Sequence, residues 1–240
     1  MQTQRDKEIV DWIGRLGAAG AQHVMRRFSM GRTTTYARLN ALVTDGLLVH
    51  RTILYGEPGL YLASADGLRW CGFERLGVYR ISAAGFVHAR EVASAAVELG
   101  GALPGWTVIS ERELRAVELD EGRLIGSAKV GELPGGRPAL HRPDLVLTAP
   151  QGRTVAVEVE LSVKDRLRLA RICRGWARAR HIDAVYYLAA SAPARAVQRA
   201  VDEVKAQDLI SVLPLKEAQL LASLERREVS DASGAPVARR

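Results

Sequence analysis

The segment Val155-Ala156-Val157-Glu158-Val159-Glu160-Leu161 sets two acids into an otherwise apolar run. Successive side chains of a strand point to opposite faces. Glu158 and Glu160 therefore share one face, and Val155, Val157 and Val159 the other. Two acids on so apolar a strand are costly to bury unless they are paired or bound. A second run, Asp144-Leu145-Val146-Leu147, lies a short loop upstream. If the two strands are neighbours, Asp144, Glu158 and Glu160 bring three carboxylates to one point of a sheet. That donor set suits a hard divalent cation such as Mg²⁺, which takes oxygen ligands and retains water. A cation held there would activate water for attack on a phosphodiester and stabilise the leaving oxygen. The competing reading is structural and needs no cofactor: the acids pair with arginines of the next segment, Arg166, Arg168, Arg171 and Arg174.

A second group of residues has nucleic-acid chemistry. Arg32-Thr33-Thr34-Thr35-Tyr36 opens an apolar-periodic stretch that continues through Arg38 to Asn40. Arginine reaches guanine bidentately, asparagine reaches adenine, and threonine hydroxyls reach bases or phosphates. Arg51 and the turn Gly56-Glu57-Pro58-Gly59 follow at a distance that would let them touch the adjacent backbone. A third group, Arg171, Arg174 and Arg178, forms one row of a helix and could track phosphates. Each group has a plainer alternative: capping and solvation, a protein-docking module, or an acid-paired surface.

The elements that must position these residues follow from periodicity. Residues 6–17 have apolar positions at helical spacing, residues 21–28 form a second short helix, and residues 32–44 a third. Residues 47–54 and 60–63 read as strands around the 56–59 turn. Three helices and a hairpin in this order form a winged helix-turn-helix, whose third helix enters the major groove. Residues 66–82 read as a linking helix or loop, and residues 83–99 as a helix closed by Gly100-Gly101. Strands are expected at 106–110, 124–130, 144–148, 154–161, 184–189 and 209–213, and helices at 165–180 and 193–206. A Gly/Pro-rich loop is expected over 131–142. The fold class is α+β or α/β, with a mixed sheet flanked by helices. The expected domains are 1–65, a linker at 66–82, an α/β domain at 83–215, and a C-terminal helix with a disordered basic tail at 216–240.

The 240 residues are 48% hydrophobic and 25% charged, the balance of a globular protein. Thirty-four Lys plus Arg against 27 Asp plus Glu leave a net charge of +7, which fits a polyanionic partner. Cys71 and Cys173 have neither metal-ligand spacing nor a disulfide framework. No signal-peptide core opens the chain and no run reaches membrane-span length, so the expected location is cytoplasmic, away from membrane.

Arg142-Pro143-Asp144, followed on the next strand by Val157-Glu158-Val159-Glu160, resembles the Pro-Asp and Glu-x-Lys motifs of the PD-(D/E)XK nuclease fold. The whole layout is similar to the replication-relaxation family of actinobacterial plasmids and mobile elements. Leu60-Tyr61-Leu62 with Gly67-Leu68-Arg69 looks like that family's domain junction. His88 in Val87-His88-Ala89-Arg90-Glu91 looks like its helix histidine. The resemblance spans about residues 6 to 190. It implies Asp144 and Glu158 as metal ligands and Glu91 as the helix acid of the fold. The lysine position is held by Glu160, which cannot neutralise developing charge. Lys164 would have to substitute, or Glu160 would become a third ligand.

The expected function is that of a double-stranded DNA-binding accessory protein of plasmid or mobile-element replication or mobilisation. Its nuclease-like domain would have weak or no activity, and replication or relaxase proteins, or a second copy in a homodimer, would be partners. An active metal-dependent DNA endonuclease is the second reading, and a transcription regulator the third.

Overall fold

The computed structural model describes residues 2–73 and 75–233. The chain opens with three helices, α1 (Gln4–Leu16), α2 (Ala21–Phe28) and α3 (Arg32–Thr44). A short antiparallel hairpin follows, β1 (Leu48–Arg51) with β2 (Leu60–Ala63). The backbone of Ala19 bridges to Tyr61, tying the α1–α2 connection to the hairpin edge. Thr3 caps α1 reciprocally: its hydroxyl accepts from the Asp6 amide, and its own amide donates to the Asp6 carboxylate at 2.7 Å. Ile9, Val10, Ile13, Val24, Leu39 and Leu42 are fully buried together with Leu48 of β1. The stretch expected as a linker begins with α4 (Ala65–Trp70), whose Leu68 belongs to this same core.

The remainder is a mixed α/β layer structure. Helix α5 (Ala83–Ala102) leads to β3 (Thr107–Ser110), α6 (Glu111–Glu121), and the hairpin of β4 (Ala128–Glu132) and β5 (Pro138–His141). Then come β6 (Leu145–Thr148), β7 (Thr154–Glu160), α7 (Arg166–Arg178), β8 (Ala184–Ala189), α8 (Ser191–Val204), β9 (Ile210–Pro214) and α9 (Ala218–Ser233). Five strands form one sheet in the order β3-β6-β7-β8-β9. The first two pairings are antiparallel and the last two parallel. Alternation assigns the faces. Val155, Val157 and Val159 pack with α5 and α9, whereas Ala156, Val185 and Tyr187 pack under α7 and α8.

Several expectations are corrected. Helix α5 runs through Gly100 and Gly101, because the buried Leu103 keeps its amide on Leu99 O beyond them. Helix α6 was not expected, and the loop expected at 131–142 contains strand β5. The backbone over 229–233, expected as disordered tail, continues α9, and residues 234–240 lie outside the described residues. No helix among the described residues is long and apolar enough to cross a membrane.

The two parts of the chain are joined through more than the connection. The α2 residue His23, fully buried, accepts the Gly20 amide on Nδ1 and meets Ser94 Oγ of α5 with Nε2 at 3.1 Å. Arg26 pairs with Glu98, Arg15 pairs with Glu113 of α6, and Ser110 Oγ donates to Arg15 O at 2.6 Å.

Candidate functional site

Two surfaces collect the residues singled out by sequence. On α3, Leu39 and Leu42 face the core, so Arg32, Thr33, Thr34, Tyr36 and Asn40 are left exposed on the opposite side. Arg32 lies over the Tyr36 ring, 5.9 Å from its centroid. Arg51 is exposed at the end of β1. Two expected members of this surface do not belong to it. Thr35 is fully buried, with its hydroxyl donating to Gly31 O at 2.9 Å. Arg38 turns back onto α1, where its Nη1 lies 2.7 and 2.8 Å from the two Asp6 oxygens. Desolvation works against the Asp6 charge, but hydrogen bonds from Thr3 and Arg38 outweigh it and hold the carboxyl below the usual range. Arg38 is thus a strut between α1 and α3.

The second surface lies where β6 and β7 meet. Asp144 precedes β6, and its two oxygens are both engaged. Oδ2 accepts the Val159 amide at 2.7 Å and Oδ1 lies 2.8 Å from His88 Nε2 of α5. The hydrogen bond to Asp144 raises the His88 pKa above its ordinary value, against the effect of burial. Glu158, 4% exposed, is met by His141 Nε2 at 2.5 Å. Burial pushes the Glu158 carboxyl up, and the His141 ring opposes it. Burial works against a charged His141, but the Glu158 charge and hydrogen bond win and raise its pKa. Glu160, also buried, pairs with Lys164, four residues on. The Lys164 charge acts on His88, His141 and Glu158 as well, so it sits within the cluster.

The expected convergence of carboxylates is therefore answered differently. Asp144, Glu158, Glu160 and Lys164 do gather, but each carboxylate has its own cationic or donor partner. Among the described residues no three His, Cys, Asp or Glu side chains group as a metal ion would require. Glu91 is not drawn in; it takes Arg90 Nε at 3.3 Å. The pairing with α7 arginines goes to another acid, since Arg166 and Arg174 both reach Glu203 of α8. Arg171 and Arg178 are exposed as expected, while Leu169, Ile172, Cys173 and Trp176 are buried against the sheet.

Sequence reading missed His141. It reaches Glu158 because the β4–β5 hairpin lies on α7, with the His141 ring edge-on to Trp176 at 5.6 Å. Gly175 permits this approach: a Cβ there would stand 2.8 Å from Val130 and 3.1 Å from Lys129 O. Glu118 of α6 organises the approach to β4, accepting the amides of Ile125, Gly126 and Ser127 on one oxygen and the Ser127 hydroxyl on the other. The sequence signal for His141 was its place directly before Arg142-Pro143-Asp144.

Compared with known proteins, the chain matches no family model, no curated protein and no solved structure.

Proposed function

We propose that this chain binds double-stranded DNA through α3, with helices α1 to α3 and the β1–β2 hairpin acting as a winged helix-turn-helix. The observation that carries the reading is the solvent face of α3. Arg32, Thr33, Thr34 and Asn40 stand exposed with no ion pair among the described residues, while the rest of the helix is anchored by Leu39, Leu42 and Arg38. A basic side chain, hydroxyls and a carboxamide on one firm helix are the groups that read base edges. Residues 1–65 carry eight Lys or Arg against five Asp or Glu, a net +3, which supplies attraction to phosphate. The motif order from the hairpin to Glu160 favours an accessory role in plasmid or mobile-element replication or mobilisation, with a PD-(D/E)XK-like second domain.

The test is fluorescence anisotropy on a random-sequence duplex at several salt concentrations. Wild type should bind with a steep salt dependence, and Arg32→Ala with Asn40→Ala should weaken binding about tenfold or more. Salt-insensitive or absent binding would remove the proposal. Lys164, paired with Glu160 and with its charge reaching Glu158, favours a second reading, an endonuclease. Plasmid nicking in Mg²⁺ or Mn²⁺, lost in Asp144→Ala and Glu158→Ala, would establish it. Intact plasmid in every condition leaves binding as the function.

A further inference from the structure

A groove unrelated to α3 lies between residues 75–80 and α6. It is an open cavity of about 410 Å³, lined by Arg75, Arg80, Arg112 and Arg115 together with Val78 and Leu119. Two of the arginines are already matched, Arg75 by Asp120 and Arg115 by Glu111. The other two are not. Arg80 is exposed and makes no ion pair among the described residues. Arg112 is half-buried, donates to Gly77 O and lies 5.6 Å from the Tyr79 ring centroid. Burial works against its charge, and Glu113, which acts on it through space, is already paired with Arg15. Among the described residues, then, no carboxylate pairs with Arg80 or Arg112 in this groove.

The groove is also apolar in a way that a salt-bridge surface is not. Leu119 is 79% exposed and Val78 49% exposed, both beside the arginines. Tyr79 and Arg112 also line a smaller adjoining cavity whose far wall is His88 and Asp144. The two hollows thus lie on either side of Tyr79 and Arg112.

We infer that this groove binds single-stranded nucleic acid, with phosphates on Arg80 and Arg112 and base faces against Val78, Tyr79 and Leu119. A duplex keeps its base faces stacked away and would leave the apolar side chains without a base to cover them. A single strand offers open base faces, which apolar side chains and guanidinium planes accept regardless of sequence. The inference extends the reading of the chain as a DNA-binding protein, but it uses a separate face. Tyr79 packs on Gly17 at the C-terminal end of α1, whereas Arg38 of α3 binds at its N-terminal end. Asp6 and Gly17, where they attach, are eleven residues apart along α1, about 16 Å of helix rise.

Anisotropy of the full chain with a fluorescein-labelled oligothymidylate and with a labelled duplex separates the two faces. Wild type should bind the oligothymidylate. Arg80→Glu, at an exposed position with no ion pair or side-chain hydrogen bond among the described residues, should weaken it about tenfold, and adding Arg112→Gln should weaken it further. The salt slope should fall by about 0.7 for each arginine removed. Arg32→Ala with Asn40→Ala should leave oligothymidylate binding at the wild-type level. The inference is overturned if Arg80→Glu binds the single strand like wild type, if the α3 variants lose it equally, or if Arg80→Glu weakens the duplex alone. A wild type that holds the duplex but not the oligothymidylate refutes this inference only, and one that holds neither refutes the DNA-binding reading as well.

Discussion

At the scale of single residues, the side chains that sequence grouped by type divide by what they touch. Arg32 and Arg38 are six residues apart on one helix, and sequence gave both the same role. Asp6 separates them: it caps α1 and at the same time holds Arg38, so only Arg32 is free to meet a ligand. Nothing in the local pattern around Arg38 points to a residue 32 positions away. Glu158 and Glu160, by contrast, were legible, because strand alternation alone puts both on the face opposite the valines. The partner of Glu158 was not, since His141 comes from a distant hairpin. Removing Arg38 leaves a largely buried Asp6 charge with only Thr3 to satisfy it. Arg38→Ala should therefore lower unfolding stability by about 2 kcal/mol, measured by urea denaturation. Arg32→Ala should change it by less than about 0.5 kcal/mol, as an exposed substitution does. Equal losses from both would contradict the assignment of strut and reader.

At the scale of elements, what escaped the sequence reading shares one cause. Helix α6 buries Leu114 but also Glu113 and Glu118, so its inner face does not read as apolar. Strand β5 has no fully buried residue and follows two glycines of positive φ, so neither alternation nor propensity marks it. Elements with an apolar inner face, such as β7, β8 and α7, were found almost to the residue. The β4–β5 hairpin is held where Gly175 lets it rest on α7. In Gly175→Ala, the gain in helix propensity, about 1 kcal/mol, is set against overpacking of about 1–3 kcal/mol. One contact is a backbone carbonyl that cannot rotate away, so overpacking should win and the melting temperature should fall. Gly100→Ala, at an exposed position of α5 where an added Cβ meets nothing, should instead raise it. A rise in both variants would show that the hairpin yields freely and does not fix His141.

At the scale of the molecule, the two halves behave as one body through the α2–α5 contact, and its centre is a histidine that must stay neutral. His23 is lowered to about 4, first by burial and then by the charges of Arg26 and Arg90. The sign follows from which state binds the proton. Between pH 6.5 and about 4 the unfolded chain is protonated at this ring and the folded chain is not, so stability falls as the pH falls through that window. A shift of about 2.5 units corresponds to about 3 kcal/mol, an upper figure for one buried ring. The structural reason is local. Nδ1 accepts the Gly20 amide, and a proton placed there turns an acceptor into a second donor facing the first. The N-terminus of α2 and its seat on α5 should loosen together. His88 titrates in the opposite sense: its raised pKa gives stability that is complete below 6.5 and lost as the pH rises through the folded value. The carboxylates held low, Asp6 and Glu118, give stability that is complete above their ordinary values and lost as the pH falls through their folded values. Glu113 and Glu158, whose carboxyls burial pushes up, gain stability as the pH falls and so oppose His23, and the His23 share is read from the difference between wild type and variant. Thermal unfolding of wild type should lose several degrees between pH 6.5 and 4.5, and His23→Gln, less stable at neutral pH, should lose clearly less over the same interval. If the variant keeps the full acid slope, the junction of the two halves is not where the acid sensitivity resides.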